Sequence, residues 1–168
     1  PAWNLTITDQ LPNQADGGMC DAAPVNLVAQ LYEADGVTPI GAALVDGADF
    51  QATFNGDPAC TFTLEMLTLA ASIGPDQRLI VTYDTLLDAG TQLNAALTNI
   101  AGATEWFTLD QADADSAFAR TYTRVITDGT VGALDHEDAH TVLEYTPPLF
   151  MFEKTAVNIS TGEDPATV

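Results

Sequence analysis

Lys154 is the only lysine of the chain, and it stands in the stretch LFMFEKTAVN that begins at Leu149. Strand periodicity puts Phe150, Phe152, Lys154 and Ala156 on one face. An amine sharing a face with two aromatic rings loses its proton more readily, because burial disfavours the ammonium form. Two other polar side chains have a similar setting. Asp9 follows Leu5 and Ile7 on one face of its stretch, and Asn99 follows Leu93, Ala95 and Leu97 on another. An amine, a carboxyl and a carboxamide on apolar faces are the three parts of an intramolecular isopeptide bond. The neutral amine attacks the carboxamide carbon, a protonated carboxyl shuttles protons, and ammonia leaves. The plainer alternative is three buried polar groups joined by ordinary hydrogen bonds, with the lysine snorkelling at a sheet edge.

The acidic residues suggest a different chemistry. Asp110, Asp113 and Asp115 lie in LDQADADSA, and Asp128, Asp135, Glu137 and Asp138 lie in TDGTVGALDHEDAH. Hard cations take six to eight oxygens from carboxylates, carbonyls and water, so calcium is the cofactor these loops would hold. Neither segment has the EF-hand spacing, and a solvated acidic surface is the competing reading. His136 and His140 are four apart, a zinc spacing on a helix, but their surroundings read as a loop entering a strand and supply no third ligand. Trp3, Trp106, Phe107 and Tyr122 have the faces to stack on sugar rings, but core or edge packing is the favoured reading. No serine elbow, P-loop or dinucleotide fingerprint occurs, so an enzyme is not expected.

Charge narrows the partners. Against 24 acidic side chains stand 4 basic ones, a formal net charge of −20 in 168 residues. Nucleic acid and anionic membranes would be repelled by such a surface. No run approaches the roughly 18 apolar residues of a membrane-spanning helix. Cys20 and Cys60 form no CxxC pair and are too few for a structural zinc site. A disulfide between them would close a ring worth about 4 kcal/mol in the loop-entropy account. Disulfides persist outside the reducing cytosol, which points to an extracellular location.

The elements that must position these residues are strands. Period-two alternation recurs in WNLTITDQLP, VNLVAQLYE, VTPIGAALV, ADFQATF, ACTFTLEML, RLIVTYDT, LNAALTNIAGATEWF, ARTYTRVIT, HTVLEY and the stretch around Lys154. Turn signals such as Asp35-Gly36, Asn55-Gly56-Asp57-Pro58 and Asp128-Gly129 separate them. A short helical turn fits only Asp84–Ala89 or Gln111–Ala119. About nine or ten short strands at this spacing predict an all-β, immunoglobulin-like β-sandwich. Pro147-Pro148 reads as a semi-rigid joint, dividing the chain into a module over 1–146 and a tail over 147–168. The tail's one strand cannot fold alone, so it must complete a neighbouring module or the same sandwich. Both ends therefore read as cut within a larger structure.

The segments LTITDQLP, LTNIAGATEWF, ITDGTVGALDHEDAHTV and LFMFEKTAVNISTGEDPATV resemble the conserved bacterial surface-protein repeat called domain of unknown function 11, which is similar to isopeptide-forming fimbrial domains. Nothing in residues 12–75 contributes to the resemblance, and the family's Pro-Gly-Asp strand is missing. In that family the Lys-Thr strand opens a module; here it comes last. The resemblance implies a non-enzymatic structural or adhesive module of an extracellular bacterial surface protein or fibre. Its partners would be copies of itself or adjacent repeats, joined head to tail by strand addition. Lys154, Asn99 and Asp9 would be its bond-forming residues. The alternative is a calcium-dependent module that binds a ligand such as carbohydrate.

Overall fold

A computed structural model describes residues 1–110, 116–127 and 136–143. Asp113, Asp115, Asp128, Asp135, Lys154 and the whole tail over 147–168 lie outside the described residues. The chain is all-β, as the alternation predicts. Its strands are β1 (Trp3–Gln10), β2 (Asn13–Gln14), β3 (Gly17–Gly18), β4 (Val25–Glu33), β5 (Phe50–Asn55), β6 (Thr61–Met66), β7 (Gln77–Asp84), β8 (Ala96–Phe107), β9 (Thr121–Thr123) and β10 (Glu137–Leu143). One antiparallel sheet has the order β10-β8-β1-β6-β5, with β9 also paired to β8; a second pairs β4 with β7, and β2-β3 is a small hairpin.

Both large sheets contribute to one core. Leu5, Phe50, Phe62, Leu64 and Met66 enter it from the first sheet and Ala29 from the second, with Leu79, Val81 and Tyr83 of β7 packed against them. The alternation in β6 is clean, since Phe62, Leu64 and Met66 are buried while Thr61, Thr63 and Glu65 are not. Strand β1 is central, bonded to β6 on one side and β8 on the other. Its register against β8 shifts between Trp3 and Ile7, where Asn4 takes a left-handed φ of 46°. A bulge of this kind turns the rest of the strand without breaking the sheet.

Three segments differ from the sequence expectation. VTPIGAALV forms no strand; it lies along β4 through isolated bridges at Pro39 and Leu44. Pro39 has no N–H to give, and Gly41 takes a φ of 68°, so a continuous ladder cannot form there. No helical turn forms over Asp84–Ala89: Asp84 ends β7, and the turn that follows begins only at Ala89, with the Thr91 N–H bonded to the Asp88 carbonyl at 3.0 Å. The 3₁₀ turn lies at Leu69–Ala71 instead. Within the second candidate, the Ala119 N–H closes a single turn on the Ser116 carbonyl at 2.9 Å.

Strands β9 and β10 both pair with β8, β10 along Ala96–Gly102 and β9 along Glu105–Phe107. Gly102 sits where one gives way to the other. A Cβ there would lie 2.6 Å from the His136 carbonyl oxygen and 2.8 Å from Ile126 Cδ1, so only glycine admits both chains.

Cys20 and Cys60 form a disulfide with Cα atoms 5.3 Å apart. It ties the chain after β3 to the start of β6, beside the end of β1, where the Leu11 N–H bonds to the Cys60 carbonyl at 3.0 Å. Both sulfurs are buried in the core cluster. Replacing both cysteines by alanine is expected to lower unfolding free energy by roughly 3–4 kcal/mol. Urea titration of the double variant against the oxidised parent measures this; equal midpoints would show that the cross-link does not constrain the unfolded chain.

Candidate functional site

Three strands bring polar side chains to one point between the sheets. Asp9 lies near the end of β1 and is 6% exposed, because the alternation that buries Leu5 carries on to it. Asn99 comes from β8. Asp9 pairs with Ala101, so Asn99 is its diagonal neighbour on the same face. Tyr83 comes from β7 in the opposite sheet and donates its hydroxyl to Asp9 Oδ2 in a short hydrogen bond. Phe62, the partner of Asp9 across β6, holds the Tyr83 ring edge-on with centroids 5.1 Å apart. The same aromatic contact thus fixes where the hydroxyl points.

Burial dominates the electrostatics. It raises the Asp9 carboxyl above its ordinary range, and the hydrogen bonds from Tyr83 and Asn99 only partly oppose it. Tyr83 is also pushed up, first by burial and then by its bond to Asp9 and the charge there, so the phenol stays a donor. The cluster nevertheless has more acceptors than donors. Asp9 Oδ1 and Asn99 Oδ1 are both buried without a hydrogen-bond partner. Each such atom costs roughly 1–3 kcal/mol. A proton on Asp9 supplies one missing donor, which agrees with the direction of its pKa.

The three groups face a cleft of about 430 Å³. Its walls include Leu11, Val81, Leu97 and Val142, and His140 of β10 stands beside Asn99, its pairing partner. The cleft is bounded by β7 in one sheet and by β8 and β10 in the other. Among the described residues, β7 has a strand partner on one side only, namely β4.

Of the proposed bond-forming residues, the structure brings Asp9 and Asn99 together; Lys154 lies outside the described residues. The shared face inferred for Asn99 is correct at Ala95 and Leu97, which are 2% and 0% exposed, but not at Leu93, which is 58% exposed. Asn94 takes a left-handed φ of 66° just before β8 begins and breaks the alternation. Tyr83 escaped sequence reading. Its signal was present in RLIVTYD, where Leu79, Val81 and Tyr83 alternate inward and end on a hydroxyl.

The acidic loop is placed in part. Glu137 is buried, and its carboxylate accepts the Thr127 N–H at 2.8 Å and the Thr127 hydroxyl in a short bond. His136 Nε2 lies 3.6 Å from it and bonds the Val125 carbonyl at 3.1 Å. Asp138 accepts the Ala139 N–H at 2.8 Å, and Asp110 follows the end of β8. Among the described residues, no three His, Cys, Asp or Glu side chains converge as a metal site. His140 lies in a strand and faces the cleft, so the helical zinc geometry does not arise. Trp106 stacks on Tyr122 with centroids 5.3 Å apart, and the Arg124 guanidinium lies 5.6 Å from its ring, pinning β9 to β8. Trp3 pairs with Phe107 across β1 and β8.

Comparison with known protein families, curated proteins and solved structures finds no match. The resemblance to the surface repeat therefore rests on its motifs alone. Among the described residues, no helix is long and apolar enough to cross a membrane, and the disulfide is compatible with an extracellular setting.

Asp9 gives a pH test with a definite sign. The native carboxyl holds its proton to higher pH than the unfolded one, whose value is 3.8. Native-state stability therefore falls as pH rises above 3.8 through the native value. In a Lys154→Ala background, where the amine takes no part, Asp9→Asn is expected to stabilise the fold at neutral pH. The gain should vanish as pH falls below 3.8. Denaturant titrations across pH check this. A variant less stable at neutral pH would mean that the fold favours the ionised carboxylate.

Proposed function

We propose that this chain is a non-enzymatic structural and adhesive module of an extracellular bacterial surface protein or fibre. In this reading Leu149–Asn158 acts as a donor strand for a neighbouring module, pairing with the open edge of β7. The observation that carries the proposal is the Asp9–Asn99 pair in the lining of a cleft beside that edge. A strand added to β7 faces β1 and β8 across the sandwich, so its inward residues enter the cleft. A strand added outside β10 would have β10 between itself and Asn99. Alternation then sends Phe150, Phe152 and Lys154 inward together. The rings would contribute about 1.5–3 kcal/mol each on burial, in addition to the backbone hydrogen bonds. A contact between unlike surfaces need not close, so modules would link into a filament.

The covalent step balances within these residues. The neutral Lys154 Nζ attacks Asn99 Cγ while protonated Asp9 donates toward Asn99 Oδ1. Asp9 then accepts a proton from the attacking nitrogen and passes it to Nδ2. The Cγ–Nδ2 bond breaks as the proton on Oδ1 returns to Asp9; ammonia leaves, an amide joins Nζ to Cγ, and Asp9 ends protonated as it began. No oxidant or metal takes part. The calcium-dependent alternative has less support, since Glu137 is already engaged by Thr127.

Denaturing electrophoresis and intact mass of the purified full chain test both parts. The expected result is a ladder of covalent multimers that survives reduction and is lighter by one ammonia per linkage. Lys154→Ala and Asn99→Ala should each abolish it. A monomer lighter by one ammonia would place the bond within one chain and remove the filament. Unmodified mass in every species would end the isopeptide chemistry.

A further inference from the structure

We infer that Asn55-Gly56, at the turn between β5 and β6, is a site of spontaneous deamidation. The inference does not rest on the surface-module reading. Asparagine is chemically labile, most of all before glycine, where no Cβ hinders attack by the next backbone nitrogen. Of the seven asparagines in the chain, only Asn55 precedes a glycine. It is exposed, and it ends β5, the edge strand of the first sheet. Its pairing with Thr61 is the last rung of the β5–β6 ladder, and terminal rungs open at little cost. The Asn55 side-chain amide donates to Thr61 Oγ1 at a long 3.3 Å. Among the described residues, the Gly56 N–H has no acceptor, although the Gly56 carbonyl accepts both the Ala59 and the Cys60 N–H at 3.1 Å.

The chemistry balances with water as the sole co-reactant. The Gly56 nitrogen attacks Asn55 Cγ and gives up its proton, Nδ2 gains one, and ammonia leaves as the Cγ–Nδ2 bond breaks. The product is a cyclic succinimide. Water then opens the ring at one of its two carbonyl carbons. Opening at Cγ leaves aspartate; opening at the main-chain carbonyl leaves isoaspartate, with the former Asn55 Cβ now in the backbone. Both products put a new carboxylate two residues from Asp57. Isoaspartate also lengthens a turn whose far end is anchored by the buried Cys20–Cys60 disulfide, so the rung to Thr61 is lost. The fold itself does not demand glycine here. A Cβ on Gly56 would meet the Cys20 carbonyl oxygen and the Phe54 ring at 3.6 Å, ordinary contact distances, so alanine fits and serves as a control.

The test incubates the folded full chain at neutral pH and follows it by peptide mapping and by hydroxylamine, which cleaves the succinimide between residues 55 and 56. Cys20 and Cys60 lie on opposite sides of that bond, so the expected fragments 1–55 and 56–168 separate only after reduction. Aspartate and isoaspartate should accumulate at Asn55 ahead of every other asparagine. Gly56→Ala should slow both readouts severalfold while melting as the parent does. Reaction confined to the urea-unfolded chain would show that the fold blocks the site, and would overturn the inference. An equal rate in Gly56→Ala, or an unchanged Asn55, would do the same. The succinimide lacks one ammonia, as an isopeptide does. Gly56→Ala removes only the first loss and Lys154→Ala only the second, so the two ideas fail independently.

Discussion

A carboxyl group on the central strand of a sheet, facing inward between two layers, constrains everything built around it. Asp9 sits in β1, flanked by β6 and β8, where a side chain on the inner face has no access to bulk water. A buried carboxyl must be neutralised, hydrogen-bonded or paired. Here a hydrogen bond and a raised pKa supply the first two. Tyr83 crosses from the other sheet to donate, Phe62 holds Tyr83 in place, and Asn99 supplies an amide from the adjacent strand. The arrangement still leaves two oxygens without donors. That remainder separates the cluster from an ordinary buried network, in which satisfaction is nearly complete.

The distribution of strands around the cluster follows from this. The first sheet continues past β8 to β10, while among the described residues the second sheet has no strand beyond β7. Among the described residues, Asn99, Leu97, His140 and Val142 line a cleft shared with β7 rather than packing on another strand. An open edge is ordinarily an aggregation hazard that proteins blunt or cover. Here the edge lies next to the polar group of Asp9, Asn99 and Tyr83. Backbone pairing alone accepts any extended segment, whereas two buried acceptors beside an apolar wall penalise every inward residue without a donor at its tip. Specificity would then arise from the cost of leaving Asp9 and Asn99 unsatisfied, a stronger discriminator than hydrophobic fit.

The parts of the molecule that were legible in sequence are those governed by local alternation. β1, β6 and β7 could be read from it because each buries one face, and Asp9 was conspicuous as a charge on the apolar side. Asn99 was found through Ala95 and Leu97 even though Leu93 does not share their face. What could not be read was long-range. Nothing in the spacing tells that Tyr83 and Asp9, 74 positions apart, meet across the sandwich. Nor does it tell that Glu137, grouped with the acidic loop by proximity in sequence, turns inward to bind Thr127. Composition marked Glu137 as one carboxylate among many. Its burial follows from the close approach that Gly102 permits between β8 and the start of β10.

The Glu137–Thr127 contact and the Asp9 cluster represent opposite solutions to the same problem. Glu137 accepts a backbone N–H and a hydroxyl from one residue, Thr127, so its charge is compensated locally. Such a carboxylate has little reason to recruit a ligand. Asp9 receives one hydroxyl, from Tyr83, and an oxygen remains over, beside a second orphan on Asn99. In a chain with 24 acidic side chains, acidity alone does not identify a site. Partner accounting does, because an unsatisfied buried acceptor has only a few ways to lower its free energy. It can take up a proton, admit a donor from outside, or be consumed in a bond. A proton suffices for Asp9, but it gives Asn99 nothing unless the same hydrogen bridges both oxygens.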